Sequence, residues 1–184
     1  MMSLKSFLPQ ISKIWGVSAA ALYERQRALV RIGVLEAIEG RGPGSGVPLT
    51  AGNLAGLIIA LALTENLSDT DARVDTLCKA APRPQSRCPL TGATTFRRAL
   101  ASILESCEKA DQVESVSVDR GELAAFIGYA NGSEKLFSTF RSARKGSAHP
   151  DAISTRAIVP PRPIRLTAEL LASALSIDSP EIEE

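Results

Sequence analysis

The side chains of this 184-residue chain best equipped for chemistry are arginines: Arg25, Arg27 and Arg31 within one short stretch, then Arg41 in a run of glycines. A guanidinium is planar, always charged and forked, so it pairs with phosphate oxygens and with the acceptor edge of guanine. Ser18, Ala19, Ala20, Tyr23 and Glu24 lie beside the first group, Gly42 and Ser45 beside Arg41. Small residues let a backbone approach a groove closely, and Tyr, Glu and Arg are long enough to read base edges. This set points to contact with nucleic acid rather than to bond-making chemistry.

Signals for catalysis are weak by comparison. His149 is the one histidine, and no acid and nucleophile accompany it in a recognisable motif, so it reads as an ordinary loop residue. Cys78, Cys88 and Cys107 are odd in number and lack paired Cys-x-x-Cys spacing, which fits free thiols in a reducing compartment and gives no metal site. Gly40-x-Gly42 lacks the Gly-Lys-Ser/Thr ending of a phosphate loop and the βαβ context of a dinucleotide fingerprint. The expectation is a protein without enzymatic activity and without a cofactor.

The elements that must position the arginines emerge from local patterning. Pro9 is placed to open a helix in which Ile11, Ile14 and Trp15 share one face. Gly16 can stop it and Ser18 can cap the next, so Gly16-Val17-Ser18 forms a sharp turn. The second helix runs from about Ala19 to Ile32, with Leu22, Leu29, Val30, Ile32 and the Arg25 methylenes available to a core and Gly33 as its stop. After Gly33 the period changes. Residues 34–39 read as a strand, Gly40 to Gly46 as a loop and residues 47–49 as a second short strand, and Thr50 can cap a third helix.

Taken in order, these residues resemble the winged helix-turn-helix transcription regulators, among them MerR-like proteins, in which a turn like Gly16-Val17-Ser18 precedes the recognition helix and a β-wing comes after it. The resemblance covers about the first third of the chain. It implies a recognition helix from Ser18 to Arg31 in the major groove of double-stranded DNA, and a wing, Gly40 to Gly46, along the backbone or in the minor groove.

Composition is consistent with a globular protein: 45% hydrophobic residues and a net charge of +1. The near-neutral total hides a basic head, with Lys5, Lys13, Arg25, Arg27, Arg31 and Arg41 against Glu24, Glu36 and Glu39. The tail after Leu166 is acidic, with Glu169, Asp178, Glu181, Glu183 and Glu184. The strongest apolar run, Leu54 to Leu63, is too short to span a bilayer, and the N-terminus lacks the order of a signal peptide, so no membrane association and a cytoplasmic location are expected.

Residues 51–67 read as a helix that is apolar nearly all round, either wrapped by its own chain or shared with a second copy in a homodimer. The Pro-rich stretch 80–89 reads as an exposed linker within a boundary segment, 68–93. A helix from residue 94 or 95 to about Lys109 carries Phe96, Leu100, Ile103, Leu104 and Cys107 on a stripe, with Arg97 and Arg98 facing away. Residues 113–118 alternate as a strand, and Asn131-Gly132 between 125–130 and 135–140 signals a hairpin, against a competing helix over 120–129. A strand over 153–159 and a helix capped by Thr167 and running to Leu175 complete the pattern. The basic loop 141–150 holds Arg141, Arg144 and Lys145, which together with Lys13 can touch phosphates or simply be solvated.

The expected fold class is α+β: a winged helix-turn-helix domain with its adjoining helix in 1–67, the boundary segment, and an oligomerisation or sensing domain with a small antiparallel sheet in 94–184. Two functions suit this plan. One is a sequence-specific DNA-binding transcription regulator. The other is a non-enzymatic adaptor that uses the winged helix and the sheet for protein–protein contact.

Overall fold

A computed structural model describes residues 2–38, 40, 45–64, 72–142 and 155–177. The first helix, α1 (Leu4–Trp15), starts earlier than Pro9 suggested. Ser3 caps it by accepting from the Ser6 amide at 3.2 Å, and Leu4, Phe7, Leu8 and Ile11 are buried at helical spacing. Pro9 sits inside the helix, where it deprives the Lys5 carbonyl of its amide donor. Both residues are exposed, so water can serve that carbonyl. Gly16 takes the left-handed conformation, φ 64, that an L side chain resists, and its amide closes on the Ser12 carbonyl. Two residues later Ser18 caps α2 (Ala19–Arg31) through the Ala21 amide.

Among the described residues, the two short strands expected next do not form a regular ladder. Val34 and Leu35 are both buried, against Gly56, where an added Cβ would stand 3.2 Å from the Leu35 side chain. Consecutive inward side chains contradict the period-2 alternation that a strand needs. In place of a ladder there is one isolated bridge, Ile38 to Gly46, closed by reciprocal amide–carbonyl bonds of 2.9 and 2.8 Å. Residues 47–49 pair elsewhere, with the chain start: Leu4 donates to Val47 at 2.8 Å and Leu49 to Met2 at 2.9 Å.

Thr50 caps α3 (Ala51–Leu63), as its sequence indicated, but Thr64 ends it before residue 67. Ten of its 13 residues are buried. It packs against α2, against α4 (Ala72–Cys78) and α5 (Phe96–Leu104), and against the sheet, so the chain itself covers the apolar surface that a homodimer could have used. The helix expected over 94–109 is two: Glu105 closes α5, and Ser106 caps α6 (Cys107–Gln112).

The sheet is five-stranded and antiparallel, in the order β1-β4-β3-β2-β5, with β1 (Ala81–Arg83), β2 (Val113–Asp119), β3 (Ala124–Asn131), β4 (Glu134–Arg141) and β5 (Arg156–Val159). The hairpin forms and the competing helix does not. Its register pairs Asn131 with Glu134, so the loop is Gly132-Ser133 with Gly132 leading at φ 63, one residue on from the expected Asn-Gly centre. The Pro-rich stretch is not a free linker throughout. Pro82 is buried on an edge strand, where a missing amide donor is tolerated, and Cys88 is buried as well, while residues 83–87 are exposed.

The last helix, α7 (Pro161–Ile177), begins before Thr167. Pro161 and Pro163 occupy its first turn, whose amides have no helical partner to lose. Thr167 is therefore internal: its hydroxyl donates to the Pro163 carbonyl at 2.6 Å and accepts the Trp15 indole N–H at 3.0 Å. Buried residues from Leu4 to Ala174 form one contiguous core, in which Phe96 of α5 meets Phe140 of β4 at 5.3 Å between ring centres. The described residues thus make a mixed fold of seven helices and one antiparallel sheet, with four helices ahead of the first strand and four of the five strands in the second half. No described helix is long and apolar enough to cross a membrane.

Candidate nucleic-acid interface

A 3.6-residue period sorts the arginines of α2. Arg25 lies on the inner face with Leu22, Gln26, Ala28 and Leu29. Ala20, Glu24, Arg27 and Arg31 recur at i, i+4, i+7 and i+11 and are exposed. Burial pushes the Arg25 guanidinium below its ordinary pKa, and its Nη2 points at the Thr64 carbonyl at the end of α3, 3.5 Å away. Arg25 is thus structural. Arg27 and Arg31 are available to a ligand.

Arg27 Nη1 donates to both Glu24 carboxylate oxygens, at 3.1 and 3.2 Å. With side chains 65% and 48% exposed, this pair is loose enough to be exchanged for a phosphate or a base. At the helix start, Ser18 is exposed with its hydroxyl used in capping, Ala20 is exposed and Ala19 is half-buried. The N-terminal end therefore has few side chains to keep a surface away, and its dipole favours an anion.

Tyr23 does not stand out as a long reader. It is half-buried, and Lys5 of α1 lies over its ring with the ammonium 4.7 Å from the centroid. Lys5 therefore borders α2, a placement that sequence alone did not single out. The 18-residue separation carries no local signal, and only the packing of α1 on α2 creates it. Lys13 is exposed in the last turn of α1.

The expected wing is described only at its base. Gly40 and Ser45 flank residues 41–44, so Arg41 and Gly42 lie outside the described residues. Ser45 is half-buried beside the Ile38–Gly46 bridge. Of the basic loop, Arg141 belongs to β4, on the sheet rather than on the helical pair, and it is 3.8 Å from Glu122. Arg144, Lys145 and His149 are outside the described residues.

Arg97, expected to face away, is a tie between distant segments. Its Nε donates to the Gly52 carbonyl at 2.9 Å, Nη1 to the Val34 carbonyl at 2.8 Å and Nη2 to Asn53 Oδ1 at 3.2 Å. Asn53 in turn donates to the Pro48 carbonyl at 3.0 Å. One guanidinium thereby ties Val34, just past α2, to the start of α3 and, through Asn53, to Pro48.

The cysteines are free thiols, Cys78 and Cys88 buried and Cys107 exposed. Burial pushes the Cys78 thiol up to about 12, so it is an unreactive group at neutral pH. No group of three or more potential metal ligands occurs among the described residues. The chain matches no family model, no curated protein and no solved structure.

Proposed function

We propose that the chain is a sequence-specific double-stranded DNA-binding transcription regulator related in design to the winged helix-turn-helix proteins. In this reading α2 is the recognition helix and residues 40–46 are the wing. The observation that carries it is the outward stripe of α2: Arg27 and Arg31 exposed, a small N-terminal end at Ser18, Ala19 and Ala20, and a third arginine turned inward to hold the helix in place. One such helix reads about half of a typical operator, so a homodimer on a two-fold site is part of the proposal. Selection from random duplex DNA tests it. A palindromic consensus is the expected result, and bound pools with no shared sequence overturn it.

A second reading, the non-enzymatic adaptor, is favoured by the outer face of the sheet, where Phe137 is 74% and Ile158 67% exposed. Retention on heparin separates the two. A DNA binder that releases counterions elutes with a steep salt dependence, and an adaptor of net charge +1 does not.

A further inference from the structure

A cavity of about 480 Å³ opens between the start of α3, the end of α4 and the first turns of α5, within the roughly 300–1,000 Å³ range of small-molecule sites. Its charged groups are Lys79, Arg97, Arg98 and Asp75. Lys79 and Asp75 are 2.6 Å apart and neutralise one another, which leaves two guanidinium groups. Arg98 has no acidic partner among the described residues. Arg97 commits three of its five N–H donors to Gly52, Val34 and Asn53. The N-terminal end of α5 at Thr95 also lines the cavity and adds a positive partial charge. Cys78, as a neutral buried thiol, and Ala101 supply an apolar wall.

Arg97 borders a second cavity of about 460 Å³, lined by Val34, Ile38 and Pro48. It is therefore the partition between the α4–α5 cavity and the base of the expected wing.

We propose that the α3–α4–α5 cavity binds a small organic anion, a carboxylate on a compact apolar body. We propose further that Arg97, as a positioning residue, transmits its occupancy to the segment joining α2 and α3. The carboxylate pairs with Arg98 and with the two uncommitted N–H groups of Arg97, and the apolar body lies against Ala101 and Cys78. Drawing Arg97 toward such a ligand loosens or tightens its bonds to Val34 and Asn53, and through Asn53 reaches Pro48. The consequence for DNA affinity rests on the function proposed above, whereas ligand binding and its relay do not.

The test is calorimetric titration of the full chain, free of DNA, with benzoate, benzyl alcohol and inorganic phosphate. Benzoate is expected to bind with a Kd of about 1 mM or tighter, and the neutral alcohol and phosphate about tenfold more weakly. Arg98→Ala should weaken benzoate by about tenfold without lowering the thermal midpoint, because its side chain is exposed, and Arg98→Lys should restore part of the loss. Absence of benzoate binding, equal binding of alcohol or phosphate, or indifference to Arg98→Ala overturns the site. The relay is read by hydrogen exchange at the Ile38 and Gly46 amides, which should change with benzoate; unchanged exchange in a benzoate-saturated protein overturns it. If exchange responds while duplex DNA is not bound at all, the DNA-binding reading fails and the site stands.

Discussion

Helices α2 and α3 are equal in length, both 13 residues, and each is opened by a hydroxyl cap, yet they divide labour completely. In α3, ten residues are buried, including consecutive residues from Leu54 to Ala60. In α2 only five are, and the remainder presents Ala20, Glu24, Arg27 and Arg31 along one line. Past its first turn, an apolar helix such as α3 has little left with which to address a ligand, and it organises the elements around it. The centre of this fold therefore sets position, while the exposed charged residues of α2 lie along a single stripe, the one to which the proposed reading assigns recognition. The same contrast turns the most obvious dimerisation surface in the sequence into ordinary core.

The strongest test of this contrast is Leu57→Ala in α3. The side chain is fully buried, and its loss should cost about 2–5 kcal/mol, read as a lower urea midpoint with an unchanged slope. A drop below about 0.5 kcal/mol would mean that α3 is not the organising core. Next come two arginines on one helix. Arg25→Ala removes a buried stem and head and should lower stability by about 1–3 kcal/mol. Arg27→Ala should leave stability within about 0.5 kcal/mol and instead weaken binding to the selected duplex by about 1–3 kcal/mol at fixed salt. If the two substitutions behaved alike, in either assay, the division of α2 into inner and outer faces would be wrong.

A third and smaller effect belongs to the turn that aims α2. Ser18→Ala deletes the hydroxyl that accepts the Ala21 amide and should cost about 1 kcal/mol, with Ser18→Gly costing only a few tenths. Thermal unfolding of both variants distinguishes a cap from a base-reading role, in which the two would lose DNA affinity equally and keep their stability.

Much of the fold was legible because local signals agreed. Gly16, Ser18 and Gly33 bound α2 in the sequence as in the structure, and Arg25, whose methylenes the sequence offers to a core, is buried whole beside Leu22 and Leu29. The hairpin was legible from Asn131-Gly132 between two β-prone runs. The failures share a cause. Pro9 and Pro161 are each compatible with more than one helical position: Ser3 caps α1 well before Pro9, and Pro161 opens α7 rather than ending a strand. Residues 34–39 have strand composition, but two consecutive side chains are required under Gly56, and tertiary packing overrode the alternation. Arg97 lies off the apolar stripe of its own helix, so periodicity turns it outward, although outward there means the start of α3 rather than water. Periodicity reports which face is polar and is silent about the neighbours of that face.

The smallest effect probes the loosest contact on the stripe. Glu24 holds Arg27 in an exposed pair, which is worth about 0–0.5 kcal/mol in stability because solvent screens it and both side chains lose freedom to make it. Glu24→Gln should therefore leave the thermal midpoint nearly unchanged. In the presence of DNA the same change acts twice: it removes a negative charge from the stripe and releases Arg27 from its carboxylate. Non-specific duplex affinity should rise, and the salt dependence should steepen by about one counterion. If Glu24 itself accepts from a base, as its position one turn into α2 permits, the selected site should lose its advantage over random duplex. Measuring both affinities across salt separates a carboxylate that restrains its neighbour from one that reads sequence, the finest distinction that the outer face of α2 can carry.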